Sequence, residues 1–441
     1  MTVPSDHLRT TAPGGGGRPR AGPGAGDGGL VGRYLALGLA LGRHVDGLVD
    51  AYYGPPEIAV RARQGALCPP GVLIAEARRL LADLHSGMPL QGPGRGAAGD
   101  EERPVGAAGA PSGADSGRRR WLAAQVRGLE TTARRVGGEP IGYADEVEAC
   151  YGVRPQPVPE DVLAAAHHQL DEALPGTGPI GERLADWREA HAVPADRLSA
   201  AITSLAEELR RRTAAVIGLP DGEEVAFELV SQQPWSGFNW YHGGLRSTVA
   251  VNTDLPVLSL ALPHLVAHEA YPGHHTEHSR KEVGLVRGRR WLEETIFLVG
   301  TPQCLLAEGL ADLGLEVLAG PQHQVLASEL FRPLGIRYDE EIAIRVAEAS
   351  EVLASARANA AWRLHADGAD VGTVTQELSR WALLPSARAA KAVEFLVHPT
   401  WRAYVTCYVD GLRLCRQYVA GDPARFVRLV SEQVVPADLS T

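Results

Sequence analysis

Apolar and polar positions along most of this chain alternate with a period of three to four residues, the spacing of one face of an α-helix. Leu198, Ile202, Leu205 and Leu209 share such a face; Pro194 precedes it and Arg210-Arg211-Arg212 closes it, a basic triplet suited to the negative end of a helix dipole. Residues 340 to about 365 are alanine-rich and amphipathic, and the pattern predicts further helices over 373–381, 387–397 and 401–419. Strand signals are few and close together. Residues 225–230 are apolar apart from Glu228, and 245–252 are β-branched after Gly243-Gly244. The expected fold is mostly α with a small antiparallel β-sheet, and the sheet lies just before an apolar run at 258–267.

Two stretches fall outside this pattern. Residues 1–28 are rich in Gly, Pro and Arg and read as a disordered tail, and about 87–117 reads as a mobile low-complexity insertion between helices. The rest, 29–441, is expected to form a single domain. With 441 residues the chain can bury a sizeable core. Its net charge of −10 disfavours nucleic acid as a partner, because phosphate binding needs a basic footprint. The five cysteines are odd in number and form no C-x-x-C pair, which argues against a disulfide framework and a thiolate zinc site. No apolar run reaches the length of a membrane span, and the first residues lack a signal-peptide core, so no membrane partner and a cytoplasmic location are expected.

The chemistry concentrates at the end of the apolar run, in His268-Glu269-Ala270-Tyr271-Pro272-Gly273-His274-His275. A hydrolytic zinc site needs neutral imidazoles to hold the metal and a base beside its water. In the common H-E-x-x-H arrangement the two histidines are four residues apart on one helical face. Here the fourth position holds Pro272, and His274 lies about 240° round an ideal helix from His268. A bulge at Pro272-Gly273 would return His274 to the ligand face, because proline removes a helix hydrogen bond and glycine tolerates unusual backbone angles. His275 is an alternate ligand. Two further pairs four apart compete: His264 with His268, and His274 with His278 in the inverted H-x-x-E-H pattern. A third ligand must come from elsewhere. Glu308, in the apolar segment Leu305-Leu306-Ala307-Glu308-Gly309, is a candidate because a buried carboxylate needs a charge partner. On spacing alone, Glu308, Asp312 and Glu316 also fit one solvated helix face.

His268 to His275 together with Glu308-Gly309-Leu310-Ala311 resemble a bacterial family known as domain of unknown function 885. Its marks are H-E-A-x-P-G-H-H and a Glu-Gly-x-Ala segment on a following helix, and family members usually carry Trp at the position of Leu310. The resemblance runs from about Tyr34 to Arg416 and implies a gluzincin-like α+β metallopeptidase fold, distantly similar to Taq-type carboxypeptidases and thimet-type oligopeptidases. It implies Zn2+ as cofactor, His268, His274 and Glu308 as ligands, and Glu269 as general base.

The run from His398 to Tyr408 offers helpers. Tyr404 and Tyr408 share a helical face and are candidate oxyanion donors, and Arg402 is a candidate grip for a substrate carboxylate; an amphipathic helix with its aromatics in the core is the competing reading. Asn252 and Thr253 end a strand that an extended peptide could pair with, and Asp46, Asp50, Tyr52 and Tyr53 are candidates for an opposite wall. The expected activity is zinc-dependent hydrolysis of amide bonds in a short peptide, carboxypeptidase- or oligopeptidase-like. A deacylase acting on an acylated amino acid has the same chemistry. A non-catalytic metal-retaining protein or an Fe(II) oxygenase fits less well, because neither needs a carboxylate next to the first histidine. The sequence leaves the oligomeric state unknown.

Overall fold

Helices carry most of the chain in this computed structural model, which describes residues 29–90, 113–233, 235–320 and 323–439. The tail at 1–28 and most of the insertion lie outside the described residues; its last part, from Gly113, already belongs to the helix Gly113–Val136. The helix patterned on Leu198, Ile202, Leu205 and Leu209 runs Ala195–Val216 with those four side chains buried, one turn beyond the arginine triplet. The stretch 340–365 is two helices, Glu340–Ala354 and Ala356–His365. Between them the Ser355 hydroxyl donates to the Val352 carbonyl at 2.5 Å, the kind of local bond that competes with helix continuation. The stretch 401–419 is likewise divided: turns at 401–404, a π-helical Cys407–Gly411, then Leu412–Val419. Among the described residues no helix is long and apolar enough to cross a membrane.

Five strands form two small sheets among the described residues: β1 (Val49–Tyr52), β2 (Glu224–Val230), β3 (Gly237–Gly243), β4 (Arg246–Asn252) and β5 (Ile296–Leu298). β1 pairs antiparallel with β5, with an irregular register between Val49 and Ala51 that leaves Asp50 at a bulge. The larger sheet has the order β2-β4-β3. β3 and β4 form a hairpin through Gly243, Gly244 and Leu245, all at positive φ, and β2 joins the far side of β4 in parallel. The sheet is therefore mixed where an antiparallel one was expected. β4, whose end was expected to pair with an extended peptide, is the central strand, and β2 and β3 are the edges.

The helix Pro302–Ala319, here the glutamate helix, is apolar nearly all round and threads the interior. Leu306, Leu310 and Ala311 pack with Val249 and Val251 of β4 and with Leu262, Val266 and Ala267. Cys304, Leu305 and Ala307 pack on the other side with Val346, Ala403 and Cys407. At Gly309 the glutamate helix meets the π-turn backbone-to-backbone: a side-chain carbon at Gly309 would collide with the carbonyl group of Gly411, and one at Gly411 with the Leu305 carbonyl. Changing Gly309 to Ala should force the two segments apart and cost about 1–3 kcal/mol by overpacking; urea unfolding would show a lowered midpoint, and an unchanged midpoint would contradict this contact.

Candidate metal centre

The chain breaks at Pro272-Gly273 and does not bulge. The first motif helix, Leu262–Glu269, ends there, and the second, His274–Lys281, starts after a turn that includes a cis Tyr271–Pro272 peptide. Pro272 has no N–H to offer the helix. The Gly273 N–H turns back to the Ala267 carbonyl at 2.9 Å. A side chain at Gly273 would collide with the His268 carbonyl, so only glycine fits. The proline ring lies over Gly314 of the glutamate helix, where a β-carbon would sit 2.7 Å from its Cγ.

This break turns His274 toward His268. Their Nε2 atoms are 3.1 Å apart and their rings are nearly perpendicular at 89°. Glu308 faces both: one carboxylate oxygen is 3.5 Å from His268 Nε2 and the other 3.6 Å from His274 Nε2. Donors about 2.0–2.1 Å from a tetrahedral ion stand roughly 3.3 Å from one another, so the observed spacings fit such an ion. Tautomers agree with the spacing. His268 Nδ1 lies 2.7 Å from Asp312 Oδ1, so a neutral ring donates there and leaves a lone pair at Nε2. Two imidazole nitrogens and a carboxylate aimed at one point suit a cation between them, and the residues present fit zinc.

Burial sharpens the electrostatics. Glu308 is only 6% exposed. Its burial favours the neutral acid, but the hydrogen bond from His268 and the charges of His274 and His268 outweigh it and hold the carboxyl below its usual range. For His268, burial opposes protonation, yet Asp312 and Glu308 raise it well above the usual imidazole range. Asp312 is correspondingly depressed despite its burial, through His268 and His264. Glu269 lies beside the pair, its carboxylate within 4.8 Å of the ligand atoms of His268 and His274. Burial raises its pKa, offset in part by the two histidines. β3 fixes its backbone: Asn239 Nδ2 donates to the Glu269 carbonyl at 2.5 Å. Tyr404 donates to Glu308 Oε1 at 2.9 Å, and Tyr408, 41% exposed, reaches the Tyr404 hydroxyl at 3.4 Å. Glu308, Asp312 and Glu316 are not one solvated face: the first two are occupied by the histidines, and Glu316 alone, at 43%, is open to solvent.

Other sequence candidates point elsewhere. His275 is fully buried with both ring nitrogens engaged, Nδ1 with Ser247 at 2.9 Å and Nε2 with Glu223 at 2.9 Å, so it is not free to bind the same ion as His274. His278 stacks on Tyr241 at 4.8 Å. His264, half-exposed, meets Asp312 at 3.3 Å. Arg402 is paired with the buried Glu146, also held by Arg135, which removes it as a free substrate clamp. Tyr52 and Tyr53 direct their hydroxyls to the Pro55 and Glu294 carbonyls. Asp50 is coupled to the centre electrostatically: burial, then the charges of Glu308 and Glu269, raise it to about 7. Asp312, Asn239 and Glu223 were not singled out from sequence. For Asp312 a signal existed, its i+4 spacing from Glu308, but the same spacing fitted the solvated face.

No family model matches the chain, and no curated protein does. Among solved structures, a "putative lipoprotein" from Colwellia psychrerythraea is similar at 16% identity and a TM-score of 0.50, covering 73% of this chain, which spans 61% of that protein. A "putative lipoprotein of unknown function" from Shewanella oneidensis is similar at 11% identity and a TM-score of 0.47, over 92% of this chain and 81% of that one. At these identities the first likeness concerns the fold alone.

His274→Ala should lose metal, whereas His275→Ala should keep it and destabilise the fold by about 1–3 kcal/mol, because Glu223 and Ser247 lose a buried partner. Metal analysis with denaturant titration separates the two, and metal loss in both would contradict the geometry. Chelator-treated protein should also show a pH window. Raised His268 stabilises fully below its unfolded value of about 6.5 and loses this as pH rises through its folded value; lowered Asp312 stabilises above about 3.9 and loses this as pH falls. Thermal midpoints should therefore peak between about pH 4 and 6.5, and Asp312→Asn should flatten the peak.

Proposed function

We propose that this protein is a zinc-dependent hydrolase of amide bonds in short substrates, of peptidase or deacylase type. The observation that carries the reading is the convergence of His268, His274 and Glu308 on one point with the Glu269 carboxylate beside it. When bound, zinc would supply the Lewis acidity that polarises a carbonyl and acidifies water. Glu269 accepts a proton from the attacking water and returns it to the departing amine nitrogen. Burial raises its pKa, which makes it a stronger base than an exposed carboxylate. Tyr404 holds the Glu308 carboxylate in place, and Tyr408 offers its hydroxyl to the developing oxyanion from the solvent side. Asp312 fixes the His268 ring.

A non-catalytic metal site has no use for a buried carboxylate beside its ligands, and an Fe(II) oxygenase does not need one as base. Kinship with the family of domain of unknown function 885 rests on the same motif residues. Glu269→Gln should retain zinc and lower turnover of N-acyl amino acids and short peptides by at least about a hundredfold, and Asp312→Ala should weaken zinc binding by about 10–100-fold. Undiminished turnover in the Gln variant would remove Glu269 from the chemistry.

A further inference from the structure

His268 has two ring nitrogens, and the fold sets donors around each. Nε2 faces His274 and Glu308. Nδ1 faces Asp312, whose Oδ1 also meets His264. One turn back along the first motif helix and one turn on along the glutamate helix therefore stands another histidine–carboxylate pair. The His264 and His268 ring centroids are 5.8 Å apart, and donor atoms of His264, His268 and Asp312 all lie within 4.8 Å of one another. His264 Nε2 stands 3.3 Å from Asp312 Oδ1. That is long for a hydrogen bond, and it matches the separation of two donors about 2.0–2.1 Å from one tetrahedral ion.

Charge points the same way. Among the described residues the ion-pair partners of Asp312 are these two histidines alone. With an ion on Nε2, His268 is neutral and donates its Nδ1–H to Asp312, so the ring no longer balances that carboxylate. A doubly charged inner ion is matched by Glu308 and Glu269, which leaves the charge of Asp312, with a side chain only 12% exposed, uncompensated. A buried carboxylate without a counter-charge is costly. A second cation removes that cost, and Asp312 has room for it: an ionised carboxylate offers about four lone-pair positions, and His268 takes one at 2.7 Å. The His264 side chain is 50% exposed, so water can fill the remaining coordination positions. Two protein ligands and open positions describe a weaker and more exchangeable site than the enclosed inner one.

We propose that His264 and Asp312 hold a second divalent cation, zinc or one of like ligand preference, at an outer site that fills after the inner one. Asp312 then serves both centres, orienting His268 for the inner ion and binding the outer ion itself. The order of filling rests on the inner metal centre described above; the outer ligand pair does not include His274, Glu308 or Glu269. The test is calorimetric titration of dialysed protein with zinc chloride near neutral pH, with His264→Ala and His274→Ala beside it and metal content after dialysis read in parallel. His168→Ala, at an exposed histidine–glutamate pair elsewhere on the surface, is the control for adventitious uptake. The unsubstituted protein should take up a second zinc at least about tenfold more weakly than the first. His264→Ala should keep the first and lose the second, His274→Ala should lose the first, and His168→Ala should match the unsubstituted protein. Uptake of no second zinc, or a second zinc that survives His264→Ala or is lost in His168→Ala, overturns the outer site. A sole zinc that His264→Ala removes and His274→Ala keeps overturns the inner centre, and the hydrolase reading with it, and leaves the outer pair as the metal site of the chain.

Discussion

Backbone approaching backbone is the constraint on which the candidate centre depends. Three candidate ligand side chains arrive on three helices, and to share an ion their donor atoms must meet within about 3.3 Å. Helices carrying ordinary side chains stay 8–10 Å apart axis to axis. Here glycine removes the obstacle at each junction: Gly273 tucks under the His268 carbonyl, Gly314 receives the Pro272 ring, and Gly309 lies on Gly411. The last contact brings the tyrosine segment close enough for Tyr404 to reach Glu308. The π-turn at Cys407–Gly411 is part of the same junction, and such turns recur where a helix is bent to serve a site.

The second theme is charge confined without water. Glu269, Glu308 and Asp312 stand on one small patch of interior with two histidines for company. Mutual repulsion and burial would neutralise acids placed this way. The histidines prevent it, and the split in pKa directions follows: Glu308 and Asp312, directly paired, are lowered, while Glu269, beside the pair without a direct bond to it, is raised. Two acids lowered by direct pairing and one raised by burial give distinct tasks to chemically similar groups.

How much of this was legible in the sequence depends on the range of each interaction. The motif residues His268, Glu269 and His274 lie within seven positions, so the Pro-Gly interruption alone suggested that they converge, although as a bulge and not as a break between helices. The helix at Ala195–Val216 was readable because its period is local. Glu308 stood out as a carboxylate in an apolar helix. Partners distant in sequence left no trace: Arg402 with Glu146, 256 residues apart, and His275 with Ser247 and Glu223, 28 and 52 residues away, are products of the tertiary fold. β3 was missed because Gly237–Gly243 mixes aromatic and polar residues without clear alternation, and the parallel pairing of β2 with β4 depends on which edge of the hairpin remained open.

Adjacent histidines in the second motif helix look in opposite directions, and this has a kinetic consequence. His275, clasped by Ser247 and Glu223 while Tyr271 donates to the same Glu223 oxygen at 2.7 Å, rivets the start of that helix to the sheet through bonds that involve no ion. The pose of this helix is thus set by protein contacts and not by an ion, so metal uptake should not wait on a slow refolding of the chain.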